Sequence, residues 1–505
     1  MIDQVALLPA YCAAGTALLP FLADLLAPRR PALVAASAAL GAVATGTAAA
    51  LVGTGPDRQT LCVTGAHECS FVADHRAAVL ATLFAALTLV VVALSAGTDR
   101  AGEYYFLLGC SMTGGVVLGY TNDLVSLIVA VETLTLPLYA LVGMRPRDRA
   151  SAEAAVTFFV VSVVSTAVTL LGAALLYAST GALHFDRLSS VLSSARSGSP
   201  GAPLVAAGAV LVVAGLTFKV AAVPFHAWAP STYDGAPVPV AAYLSTASKL
   251  GGVIAILYVA VDALRPALNV VGPALAVLSA LTMTVGNLGA LRQTRMVRLL
   301  AWSSVAQAGY LLAPLGALAL ARGRGDDAVV TVVAATVGYT VFYVILELGA
   351  FGAVIALRGV DDGGPIAGYR GSARRAPWAT GAFTLAMIGL AGLPPGLAGL
   401  FAKVVVVRAL LSAGSAWLAV VVAVNAVLGL AYYVPAVAAL FAPADSAADS
   451  AAELAAGRAR PAWPVTAALA AVTIAAVLLG FAPQWVLDLA GYVPRTVAVE
   501  LLLLR

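Results

Sequence analysis

The stretch "GLTFKVAAVPFHAWAP", residues 215–230, sets a lysine between a glycine and a proline at the end of a long apolar run. The run before it, "PLVAAGAVLVVAGLTF", has the hydropathy of a membrane helix. Burying an ammonium at such a place and breaking the helix beside it costs stability, so the pattern points to function. Composition sets the class around it. Of 505 residues 61% are hydrophobic and 10% charged, with a mean hydropathy of +0.97. Soluble domains carry about 25% charged residues, so the chain is an integral membrane protein.

Apolar windows of roughly 20 residues, the length that crosses a bilayer as a helix, recur along the chain. Fourteen can be placed, near 4–26, 32–53, 77–96, 104–121, 123–143, 153–178, 203–231, 238–260, 268–290, 297–320, 328–357, 378–411, 414–441 and 463–488. A β-barrel would show short alternating segments instead. The expected fold is all-α and polytopic, a single membrane domain across 1–505. Its expected parts are three N-terminal helices (1–100), two blocks (101–262 and 266–441) and a C-terminal helix (463–505). The linkers 179–202 and 442–462 read as flexible loops, and the first apolar segment reads as a span rather than a removed signal. Arginine is modestly enriched in alternate loops, most clearly in "MRPRDR", which predicts both termini on the outer face. The net charge of +4 is scattered over short loops, so no nucleic-acid partner is expected.

Cys12 and Cys110 lie in apolar helices as small hydrophobes. Cys62 and Cys69 share one predicted outer loop, where an oxidising compartment would allow a disulfide; the sequence leaves that pairing open. His67 beside them makes a weak metal motif, outweighed by a plain loop. With no C-x-x-C pattern, no metal or cluster is expected in this chain.

The basic residues are more informative. The chain holds 25 arginines and three lysines, and Lys219, Lys249 and Lys403 all fall inside predicted membrane helices. A lysine at the bilayer centre costs about 2.5–3.5 kcal/mol on insertion scales. Desolvation loosens a lysine's hold on its proton, whereas arginine stays charged. Glu132, about nine residues into its helix, lies roughly 14 Å deep at 1.5 Å per residue. Glu347 follows Tyr339 and Tyr343 at four-residue spacing, which places the three on one helix face. A movable Glu–Lys pair is minimal chemistry for passing a proton through a membrane.

The break beside Lys219 has a counterpart. "GLAGLPPGLAGLFAKVVVV", 389–407, repeats the device ahead of Lys403. Pro removes a backbone donor and Gly loosens the helix, which frees carbonyls at membrane depth. The broken segments are the predicted seventh and twelfth helices. Five apart, they cross in opposite senses, as in inverted repeats made of helices 4–8 and 9–13.

The stretch 215–249, "GLTFKVAAVPFHAWAPSTYDGAPVPVAAYLSTASK", resembles the signature of the subunit N family of NADH–quinone oxidoreductase, respiratory complex I. "EYYFLLGCSMTGGVVLGYTNDLVSLIVAVETLTLPLYALVG", "GNLGALRQTRMVRLLAWSSVAQAGYLL" and "IGLAGLPPGLAGLFAK" match further blocks in order. The resemblance covers most of 100–440, and the wider family includes Mrp-type sodium/proton antiporters. It implies a fourteen-helix, antiporter-like proton-translocating subunit in a bacterial cell membrane. Glu132 would be the acid of the fifth helix, Lys219 its partner, Lys249 the central lysine of the eighth helix and Lys403 the terminal lysine. This chain would bind no cofactor; NADH, FMN, iron–sulfur clusters and quinone would belong to partner membrane and peripheral subunits.

Four positions depart from the family pattern. Thr157 and Val297 stand at usual lysines, Gln307 at a usual histidine and Glu347 at a usual asparagine. His226 matches a family position and reads equally as a helix-end hydrogen-bonding residue. The alternatives to a complex I subunit are an Mrp-type cation/proton antiporter and a divergent paralogue with reduced pumping.

Overall fold

The computed structural model describes residues 2–63, 68–96, 101–145, 147–194, 201–443 and 461–491. The chain is mostly helical, and among the described residues eleven helices are long and apolar enough to cross a membrane. Helices Ala101–Tyr120 and Met296–Gly316 are of similar length and carry more polar residues. The expected boundaries hold within a few residues: Leu8–Leu26, Pro31–Gly53 and His75–Leu94 open the chain, and Leu124–Val142 and Arg149–Thr180 follow. Asp123 and Asp148 cap the last two, accepting from the Ser126 and Ala150 amides, which satisfies donors that every helix start leaves orphaned.

The segment that positions the site is Val238–Ala263. Every residue of its apolar window is buried, so it forms the axis around which the other helices pack. Two π-helical stretches, Leu244–Ser248 and Tyr258–Ala263, flank the α-helical Lys249–Leu257. Wide turns of this kind release carbonyls from the regular ladder and often mark functional sites. Gly252 lets this helix touch the broken segment, because a Cβ there would lie 2.9 Å from that of Lys219.

Two expectations are corrected. The 179–202 linker is not a plain loop, because Phe185–Ser194 is helical, with Phe185 and Leu188 fully buried. Its Ser/Gly-rich composition hid a short amphipathic pattern. The presumed outer loop around the cysteines is an antiparallel hairpin, Arg58–Cys62 against Cys69–Ala73, in which Cys62 and Cys69 face each other and are joined by a disulfide. The hairpin is tied down by Phe71 stacked on Tyr120 and by the Arg58–Asp3 ion pair at 3.0 Å. That arginine holds the Asp3 carboxyl below the usual carboxylate range. His67, much of 442–462 and the C-terminal residues from 492 lie outside the described residues.

Arg76 and Asp262 form a buried ion pair at 2.9 Å, with the guanidinium over the Tyr258 ring at 4.3 Å. It joins the His75–Leu94 helix to the end of the central helix. In the sequence alone Arg76 does not stand out, since a charge at a helix start resembles a solvated one.

Candidate functional site

The seventh apolar window is split. Helix Ala202–Thr217 tightens into the 3-10 turn Phe218–Val220, Ala221 adopts a left-handed backbone (φ 58°), and a second helix runs from Trp228 to Gly235. Pro224 offers no N–H to the Val220 carbonyl four residues back, so the helix cannot continue. Ser165 donates to the Gly215 carbonyl at 2.6 Å, and the Val223 amide finds Thr282 Oγ1 at 3.0 Å. Two backbone groups around the break are thus partnered by side chains.

Lys219 sits in that 3-10 turn, 6% exposed. Its Nζ donates to Glu132 Oε1 at 2.8 Å, Ser162 Oγ at 3.1 Å and Thr135 Oγ1 at 3.3 Å. An ammonium has three donors, and all three are used. Thr166 also donates to Glu132 Oε1, at 2.6 Å, and Tyr139 to Ser162 Oγ at 2.5 Å. Sequence reasoning found the Glu132 and Lys219 charges and missed their hydroxyl partners. The only signal was a stripe of Ser162, Ser165, Thr166 and Thr169 along the Arg149–Thr180 helix.

Lys249, buried in the central helix, donates to both the carbonyl and the hydroxyl of Ser304 on the Met296–Gly316 helix. The Ser304 hydroxyl contacts Tyr343 OH at 2.8 Å, and Tyr343 donates to the Ser245 carbonyl, inside the first π stretch, at 2.9 Å. One turn along from Ser304, Gln307 continues the polar line. It accepts from Tyr339 OH at 2.6 Å and donates to Tyr433 OH at 3.0 Å and to the Leu390 carbonyl at 3.2 Å.

That carbonyl explains the twelfth window. It is split into Pro377–Ala391 and Leu397–Ser412, joined through Gly392 in a left-handed conformation (φ 84°). In an unbroken helix the Leu390 carbonyl would take the N–H of residue 394, but 394 is proline. Lys403 Nζ takes the vacancy, donating to the Leu390 oxygen at 2.6 Å with the Tyr310 ring 5.3 Å away. The close approach needs glycine, because a Cβ on Gly392 would lie 2.8 Å from Lys403 Cδ.

The remaining positions separate from this line. His226 lies near its own neighbour's carbonyl, Pro224, at 3.3 Å and against the Trp302 ring. Thr157 lines a pocket of about 710 Å³ bordered by Arg145, Glu153, Asp234, Arg295 and Asp361. Arg295 there donates to Asp234 at 2.8 Å and to Asp362 at 2.6 Å. Val297 is buried beneath the 359–364 loop, where a Cβ on Gly363 would lie 2.4 Å from it. Glu347 is fully buried beside the Lys249 cluster. Among the described residues, no group of His, Cys, Asp and Glu side chains could hold a metal ion.

Residues 121–429, which contain Glu132 and the three lysines, match the family model described as NADH:quinone oxidoreductase/Mrp antiporter, TM. Over 97% of its length the chain is 60% identical to NADH-quinone oxidoreductase subunit N of Salinispora tropica, of which it covers 99%. The chain belongs to the NADH-quinone oxidoreductase subunit N family. The subunit N fold extends to solved structures. One chain of respiratory complex I from Thermus thermophilus is 29% identical, with a TM-score of 0.76 over 96% of this chain and 99% of that one. A chain of the Mrp complex from Dietzia is 22% identical and shares the fold, with a TM-score of 0.80 over 97% of each.

Proposed function

We propose that this chain carries protons across a bacterial cell membrane as the antiporter-like subunit of a complex I-type quinone oxidoreductase. The route runs through Glu132–Lys219, Lys249 and Lys403. NADH, FMN, iron–sulfur clusters and quinone would be held by partner subunits, and their redox energy would reach this chain through conformation and charge. The reading includes fourteen crossings, inverted repeats of helices 4–8 and 9–13, the blocks 101–262 and 266–441, and both termini on the outer face.

One observation carries it: all three lysines are buried, two of them at helix breaks, and each donates to acceptors on a neighbouring helix. Glu132 is what holds the Lys219 ammonium. When that carboxylate moves away, the hydroxyls of Ser162 and Thr135 remain as neutral partners, and the proton becomes transferable. Lys249 lies about one turn before Gly252, where the central helix touches the broken segment, and is the next acceptor. Beyond it, Ser304, Tyr343 and Gln307 offer hydroxyl and amide groups toward Leu390 and Lys403. A small cavity of about 10 Å³ lined by Tyr343, Gln307, Tyr339 and Leu390 lies between the two lysine networks. It is at the lower limit for one water.

The test is Lys219→Ala in the assembled complex, reconstituted in vesicles with a pH-sensitive dye. Pumping should be lost while insertion and assembly persist. Lys219→Arg should fail too, because arginine keeps its proton. Wild-type pumping by the alanine variant removes Lys219 from the mechanism, and sodium-dependent proton exchange without quinone reduction would favour the antiporter reading.

A further inference from the structure

Glu347 is the one buried carboxyl near the line that the route above does not use. It is 0% exposed, on the face of the Asp326–Arg358 helix that carries Tyr343 one turn before it. Among the described residues, neither of its oxygens has a hydrogen-bond partner. The three lysines and the hydroxyl and amide groups bonded to them are partnered, so a bare carboxyl beside them needs an explanation.

Its surroundings supply one. Through space the carboxyl acts on Tyr433 and on a group of three, Lys249, Tyr343 and Tyr233. Those three side chains gather around Ser304. Lys249 and Tyr343 are bonded to it, whereas the Tyr233 hydroxyl lies beside it without meeting hydrogen-bond geometry. The Tyr233 ring packs edge-on against Phe351, one turn beyond Glu347. Lys249 thus has a bonded partner in Ser304 and an unbonded carboxyl close enough to feel its charge. Lys403 is not among the groups that act on this carboxyl.

We propose that Glu347 is a second proton-carrying carboxyl, the partner Lys249 takes when it leaves Ser304. The pair would do in the middle of the line what Glu132 and Lys219 do in the first half. The step is a single transfer: an N–H bond of the Lys249 ammonium breaks, an O–H bond forms on a Glu347 carboxylate oxygen, and amine and neutral acid result. The reverse step restores both charges, and no further reactant is required. In the conformation described, Lys249 is occupied by Ser304 and the carboxyl waits without a donor. Tyr233 adjoins Asp234, which lines the charged pocket around Thr157.

The inference rests on the proposed lysine route, and its test separates the two. Glu347→Gln, Glu347→Asp and Lys219→Ala are each introduced into the assembled complex. Proton uptake per NADH oxidised and the carbonyl-stretch region of the redox-difference infrared spectrum are then measured. Glu347→Gln keeps the side chain's shape and removes the proton site, so pumping should fall at least about threefold. A carboxylic-acid band present in the wild type should vanish. Glu347→Asp should keep a shifted band and a larger share of pumping than Gln. Wild-type pumping and an unchanged spectrum in Glu347→Gln, with Lys219→Ala inactive, would overturn the role of Glu347 and leave the route standing. Normal pumping in Lys219→Ala would overturn both. An aspartate variant worse than the glutamine variant would show that the site needs shape rather than a proton, and would also overturn the proposal.

Discussion

Lys219 and Lys403 stand at similar breaks and are held in different ways. Lys219 spends its three donors on one carboxylate and two hydroxyls, whereas Lys403 donates to a backbone carbonyl and faces an aromatic ring. The first arrangement contains its own switch, since a charge can be moved away from the ammonium. The second contains none, because a carbonyl neither titrates nor leaves. Two proline-broken helices of one chain therefore offer different chemistry. The proline fixes where a carbonyl is freed; what the lysine meets there is decided by the neighbouring helices.

The contrast can be broken experimentally. The largest effect is expected from Glu132→Gln, which keeps the hydrogen-bonding shape of the first site and removes its charge. Pumping in vesicles should drop about tenfold or more, because a desolvated ammonium without its counter-ion loses stabilisation worth at least one power of ten. An unchanged rate would mean that the two lysine sites work alike after all. A smaller loss, about three- to tenfold, is expected from Gly392→Ala. The substitution strains a left-handed backbone position and presses on Lys403, at a cost of about 1–2 kcal/mol. Its thermal stability should fall together with pumping; a stability loss alone would show that Lys403 tolerates displacement. The smallest effect belongs to Thr157→Lys, which restores a family lysine. Thr157 lines the charged pocket with Glu153 one turn away, so a lysine there finds a carboxylate at a partly exposed site. Such pairs contribute about 0–1 kcal/mol, and pumping should change less than about twofold. A large gain would place this pocket directly on the proton route.

Much of this was legible in the chain. The three lysines, Glu132 and both breaks could be read because each violates a strong rule, namely a charge or a proline inside an apolar window. Ser162, Thr166 and Thr135 were not legible, since hydroxyls in membrane helices commonly bond their own i−4 carbonyl, as Thr135 also does to Val131 at 2.7 Å. The two π stretches left no mark either; their sequences, "LSTAS" and "YVAVDA", carry no proline or glycine. The hairpin at 58–73 was missed because its strands are five residues each in a chain dominated by helices. The Arg76–Asp262 pair spans 186 positions, a pairing that no local pattern reveals.

Two donors from different helices converge on the Leu390 oxygen. A carbonyl has two lone pairs, and here Lys403 and the Gln307 amide occupy both. It is a junction with two seats, both taken. Water reaching Lys403 by way of this oxygen has to unseat either the lysine or the glutamine. If the glutamine yields, Tyr339 and Tyr433 are cut off as Lys403 is wetted. Hydration and continuity then become mutually exclusive at this atom: it can carry water to Lys403 or join Lys403 to Gln307, one at a time.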